Sequence, residues 1–127
     1  MNLKTLVVPF LFAAAFLLAG SAHAQTTTVK NVTQCDMYYT VSIYNNSTNQ
    51  WAGTPLTGVG TMSSSTYTPP AGWEVVWVRV YSFTAPSGTT GTVGPTSTTA
   101  SVTTCTSLGT ATWTSYGSTQ ADVVIAP

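Results

Sequence analysis

Residues 37–45, MYYTVSIYN, alternate with a period of two: Tyr39, Val41 and Ile43 on one side, Tyr38, Thr40, Ser42 and Tyr44 on the other. Successive side chains of an extended chain point to opposite faces, so this is the pattern of a half-buried strand. Nothing between residues 25 and 127 sustains a helical period. Instead, short runs rich in Val, Thr, Tyr and Trp follow one another, separated by clusters of Gly, Pro, Asn and Ser. Strands are expected at 26–35, 37–45, 63–68, 73–83, 98–105, 110–116 and 121–126. The stretch 45–50, NNSTNQ, is a turn. The stretches 51–60 and 84–97 are expected to be irregular, because Gly and Pro interrupt them. Six to seven strands at this spacing, without helices, predict an all-β fold: a single antiparallel β-sandwich, Ig-like or Greek-key, or else a small barrel.

The N-terminus has the layout of a secretory leader. Lys4 is followed by an apolar run at residues 6–19 and then by Ala22-His23-Ala24, an A-x-A cleavage pattern. The run is about 14 residues long, short of the roughly 20 needed to span a bilayer. Cleavage after Ala24 is expected to remove residues 1–24 as a signal peptide and to leave residues 25–127 as one β-sandwich domain. That predicts a secreted, periplasmic or cell-surface protein, and the single-lysine leader has a bacterial look. In an oxidising compartment the two cysteines, Cys35 and Cys105, are expected to form one disulfide. It would close a loop of about 70 residues, a constraint of roughly 4 kcal/mol by chain entropy.

Removing Lys4 leaves Lys30 and Arg79 against Asp36, Glu74 and Asp122, a net charge of −1. Such a surface has no electrostatic footprint for nucleic acid or anionic lipid. The only histidine, His23, leaves with the leader. Without it a Ser–His or Cys–His nucleophile cannot be assembled. Three scattered carboxylates and two paired cysteines point to no metal site, and no phosphate-binding glycine motif precedes a helix. The chain is therefore expected to be neither an enzyme nor a cofactor protein. A pair of carboxylates converging in space, as in glycosidases, is the one catalytic alternative.

Within PPAGWEVVWVRVYSF, residues 69–83, strict alternation sets Val76, Val78 and Val80 on one face. Trp73, Val75, Trp77, Arg79, Tyr81 and Phe83 fall on the other. The valine face suits a tight core. The aromatic face carries Arg79 in its middle, and an unpaired buried guanidinium is costly. Either Arg79 pairs with Asp36 or Asp122 on a neighbouring strand, or that face meets water or a partner. Glu74 falls on the opposite face from Arg79 and is expected to be solvated. The candidate binding residues are Trp73, Trp77, Arg79 and Tyr81, with aromatic rings to stack on a sugar and a guanidinium fork to bind it. Trp73, Trp77 and Tyr81 would be spaced roughly 13 Å apart.

Thr110, Thr112 and Thr114 also share one face, opposite Ala111 and Trp113. An array confined to one short strand, with no repeat, does not argue for an ice-binding surface. The sequons at Asn31, Asn45 and Asn46 have no role in a bacterial host. The sequence thus predicts an exported, non-catalytic β-sandwich with a structural, adhesive or surface-interaction role. One alternative is a small carbohydrate-binding module using the aromatic strand face. The other is a surface-fibre subunit completed by strand addition, for which QTTTVKNVTQ at 25–34 is a candidate strand. Expected partners are a glycan, another protein at the cell surface, or a second copy of the chain.

Overall fold

The computed structural model describes residues 25–82, 90–105 and 107–127. Residues 1–24, expected to be a leader, together with Phe83, residues 84–89 of the loop expected at 84–97, and Thr106, lie outside the described residues. Ten strands follow in order: β1 (Thr26–Asn31), β2 (Met37–Asn45), β3 (Gln50–Gly53), β4 (Thr57–Val59), β5 (Ser63–Tyr67), β6 (Trp73–Tyr81), β7 (Gly91–Val93), β8 (Thr99–Thr103), β9 (Leu108–Tyr116) and β10 (Gln120–Ala126). They form two sheets that pack as a β-sandwich. Sheet A has the order β5-β1-β10-β9-β8, and sheet B the order β3-β2-β6-β7 with β4 also paired to β2.

Three strands beyond the expected seven account for the difference, and each is a short edge piece. Along the free edge of β2, β3 pairs at Ser42–Asn45 and β4 at Met37–Tyr39. Between them Thr54 takes over: its N–H donates to the Val41 carbonyl at 2.9 Å, and its Oγ1 accepts from the Val41 N–H at 2.9 Å. Pro55, which cannot donate to a ladder, breaks the edge into these two pieces. Three-residue β7 lies within the Gly-rich stretch read as loop and pairs with β6 from Val78 to Val80. The pairing is antiparallel except between β1 and β10, which run parallel with Val29 opposite Val123.

Alternation decides what enters the core. Met37, Tyr39, Val41 and Ile43 of β2 are buried against Val29, Trp113, Val123 and Ile125 of sheet A. Tyr39 extends its hydroxyl to within 2.6 Å of Ser65 Oγ on β5, so a buried phenol joins the two sheets by a hydrogen bond. The expected disulfide is present. It joins the β1–β2 connection to the β8–β9 connection through Cys35 and Cys105, whose Cα atoms are 5.8 Å apart. Beside it, fully buried Asn31 shares its two Nδ2 hydrogens among the carbonyls of Cys35, Val59 and Gly60, at 2.6, 3.0 and 3.1 Å. Its Oδ1 accepts from the Thr33 N–H and hydroxyl. One amide thus satisfies the carbonyls where the chain crosses between sheets.

β1 is paired along both edges within its own chain, with β5 on one side and β10 on the other. Thr27, Val29 and Asn31 are fully buried. Gln25, just before it, is buried too, with Nε2 donating to the Gly117 carbonyl at 2.7 Å.

Candidate functional site

The strict alternation expected through 73–83 fails at one residue. β2 and β6 pair from Tyr38–Tyr81 to Ser42–Trp77, but the next pair is Ile43–Val75, so Val76 is an extra residue in β6. A β-bulge of this kind shifts the phase of every side chain on one side of it. Val75 turns inward and is fully buried with Val78 and Val80, while Val76 is not in the core. Trp73 packs against the core rather than sharing a face with Trp77. This corrects the expected face assignment of Trp73, Val75 and Val76, and it removes Trp73 from the candidate site. It also sets Glu74 on the same outward face as Arg79.

The bulge is held by a close backbone approach. A Cβ on Gly94, just after β7, would lie 2.5 Å from the Val76 carbonyl oxygen and 3.2 Å from Trp77 Cα. Only a glycine lets the turn after β7 seat against the extra residue.

Trp77, Arg79 and Tyr81 remain together on the outer face of sheet B, and two further aromatics join them. Trp51 of β3 lies opposite Tyr44 of β2, and Trp77 lies opposite Ser42. The small side chain of Ser42 leaves room for the indoles to meet across β2. Trp51 and Trp77 have ring centroids 5.3 Å apart at 33°, and Tyr44 and Trp51 are 4.9 Å apart at 44°. Trp51 is 58% exposed. The Tyr44 hydroxyl donates to Asn49 Oδ1 at 2.7 Å. Asn49 closes the β2–β3 turn with φ 54°, a left-handed conformation that Asn tolerates. The same turn is tied down by Asn45 Oδ1, which accepts from the Ser47 and Thr48 N–H groups. The platform therefore rests on a braced hairpin.

Sequence reasoning missed Trp51 because Pro and Gly around it hid β3. Tyr44 was legible: it shares the outward side of 37–45 with Tyr38, Thr40 and Ser42.

The polar groups of this face divide into tied and untied. Glu74 Oε1 accepts from Asn46 Nδ2, so the carboxylate expected to be solvated is held by the hairpin turn. Arg79 is exposed, opposite Thr40 on β2 and Thr92 on β7. Tyr81 brings its hydroxyl to 3.4 Å from Thr40 Oγ1. Neither acid expected to pair with Arg79 does so. Asp122 binds Lys30 at 2.8 Å on the outer face of sheet A, and Asp36 Oδ1 accepts from the Thr61 N–H at 3.2 Å. Glu74 and Arg79 are opposite Tyr44 and Thr40, four residues apart on β2, or roughly 13 Å. The three carboxylates do not converge: Asp36 and Glu74 lie at opposite ends of β2, and Asp122 is on the other sheet.

The outer face of sheet A carries hydroxyls more widely than one strand. Thr112 lies opposite Thr99, Thr110 opposite Ser101, and Thr28 opposite Thr66. The Lys30–Asp122 pair interrupts the array, and the Asp122 hydrogen bond and charge raise the Lys30 pKa. The sequon at Asn31 is inaccessible, since that side chain is buried and bonded at both ends.

No family model, curated protein or solved structure matches this chain.

Proposed function

We propose that this chain is an exported, non-catalytic binding domain whose aromatic sheet face receives a carbohydrate outside the cytoplasm. The carrying observation is the row of contacting rings, Tyr44–Trp51–Trp77, on an outward sheet face with Trp51 more than half exposed. Sugar rings present apolar C–H faces with hydroxyls around their rim. An indole surface bordered by hydroxyls and a guanidinium matches both. Here the border is Thr40, Tyr81 and Arg79.

The rings are tilted to one another, as sheet twist requires, so they form a curved strip rather than a plane. A single glycan chain can follow such a strip, whereas a flat crystalline surface meets only part of it. Single-stranded nucleic acid also stacks on aromatics, but it needs a basic groove, and this chain has a net charge of −1 without its leader. The strand-addition reading draws less support, because β1 already has both neighbours within its own chain.

The test is a glycan array and titration calorimetry with residues 25–127. Binding should weaken on the order of tenfold or more in Trp51→Ala and Trp77→Ala, while Trp113→Phe on the core side leaves it unchanged. An array without hits, or ring variants that bind like the wild type, would remove the reading.

A further inference from the structure

Among the five charged side chains of residues 25–127, four have a hydrogen-bonded partner. Lys30 and Asp122 hold each other, Asp36 accepts a backbone N–H, and Glu74 is bound by Asn46. Arg79 is exposed, and among the described residues no carboxylate lies within ion-pair distance of it. Residues 83–89 contain no acid. Arg79 lies two positions from Trp77 on the same face, roughly 7 Å along the strand. Its lateral neighbours are Thr40 and Thr92, which can hydrogen-bond a ligand but cannot neutralise a cation.

We infer that the ligand is an anionic glycan, with Arg79 receiving an acidic group of a sugar whose neighbour lies on the Trp51–Trp77 rings. This deepens the reading above and rests on it. A guanidinium presents parallel N–H donors matched to a planar carboxylate, and this pairing is stronger than hydrogen bonds to neutral hydroxyls. Glu74, roughly 13 Å away beyond the rings, gives the face a polarity. It repels an anion at the hairpin end and so favours placement of the acidic group at the Arg79 end. A uronate carboxylate and a sulfate ester share this chemistry.

The experiment measures binding of residues 25–127 to polygalacturonate, its methyl ester, a sulfated galactan and an unsubstituted glucan at low and high salt. Wild type should bind at least one anionic polymer on the order of tenfold more tightly than the methyl ester and the glucan, with the preference shrinking at high salt. Arg79→Gln should abolish the preference, bringing the affinity for the anionic polymer down to that for the methyl ester. Arg79→Lys should keep part of it. A preference for the sulfated polymer that depends on Arg79 assigns the anion to sulfate and upholds the inference. Equal binding of polygalacturonate and its ester with no preference for the sulfated polymer, or an Arg79→Gln protein that keeps the preference, overturns it. If Trp51→Ala still abolishes glucan binding in that case, the carbohydrate reading stands and only the anionic ligand is lost. If no polymer binds, both fall.

Discussion

Asn31 is fully buried, whereas Trp51 is more than half exposed. Asn31 Nδ2 shares its two hydrogens among three carbonyls, of which those of Cys35 and Val59 are buried, and its Oδ1 accepts two hydrogen bonds from Thr33. Asn31→Ala is expected to cost roughly 2–4 kcal/mol, measured as a loss of urea midpoint at constant slope. Trp51 is the reverse case. Its contacts are with Tyr44 and Trp77, and a ring pair contributes about 0.5–1.5 kcal/mol. Trp51→Ala is expected to cost about 1 kcal/mol of stability while removing most of the binding, a split that calorimetry and denaturation together resolve. Neither role was visible from residue type. Asn31 lies in a sequon that suggests a surface site, and its burial follows from β1 lying between β5 and β10, a pairing set by distant residues. Trp51 is preceded by turn formers and followed by Gly and Pro, so its strand leaves no local period.

At the scale of elements, the bulge in β6 decides which aromatics face outward. Gly94 permits it, so Gly94→Ala should force the Val76 carbonyl away, destabilise the fold by roughly 1–3 kcal/mol and, on the proposed function, reduce glycan binding. Binding that survives unchanged in a destabilised Gly94→Ala protein would separate the bulge from the platform. The long strands were legible because each carries its own period: β2 matches the expected 37–45 residue for residue. β9 sets Thr110, Thr112 and Thr114 outward, with Ala111 and Trp113 buried, as its alternation requires. The bulge was not legible, because an inserted valine in a run of valines leaves both phases equally apolar. Only the partner strand's register tells them apart. The edge strands β3, β4 and β7 escaped for a related reason: they are held by neighbours rather than by their own propensity.

Across the whole molecule, stability comes from one shared core stapled at one end. Replacing Cys35 and Cys105 by Ser should lower stability by about 4 kcal/mol by the chain-entropy estimate, read as a shift in urea midpoint. Alkaline pH should also weaken the fold. The hydrogen bond and charge of Asp122 hold the Lys30 pKa above 10.5, and burial holds the Tyr67 pKa above 10.0. Both groups keep their protons longer in the folded chain than in the unfolded one. Their contribution to stability is therefore constant below those values and falls as pH rises through and beyond them. Asp122→Asn should make that fall shallower. The fold also separates the four tryptophans into two classes. Trp51 and Trp77 lie on the outer face of sheet B; Trp73 packs against the core, and Trp113 is buried with its Nε1 donating to Ser115 Oγ at 3.0 Å. The most direct measurement is a titration of residues 25–127 with polygalacturonate and glucan oligosaccharides, following the four indole N–H resonances. The Trp51 and Trp77 signals should move with saturation while those of Trp73 and Trp113 stay in place. Four stationary signals, or shifts as large at Trp113 as at Trp51, would contradict the proposed function.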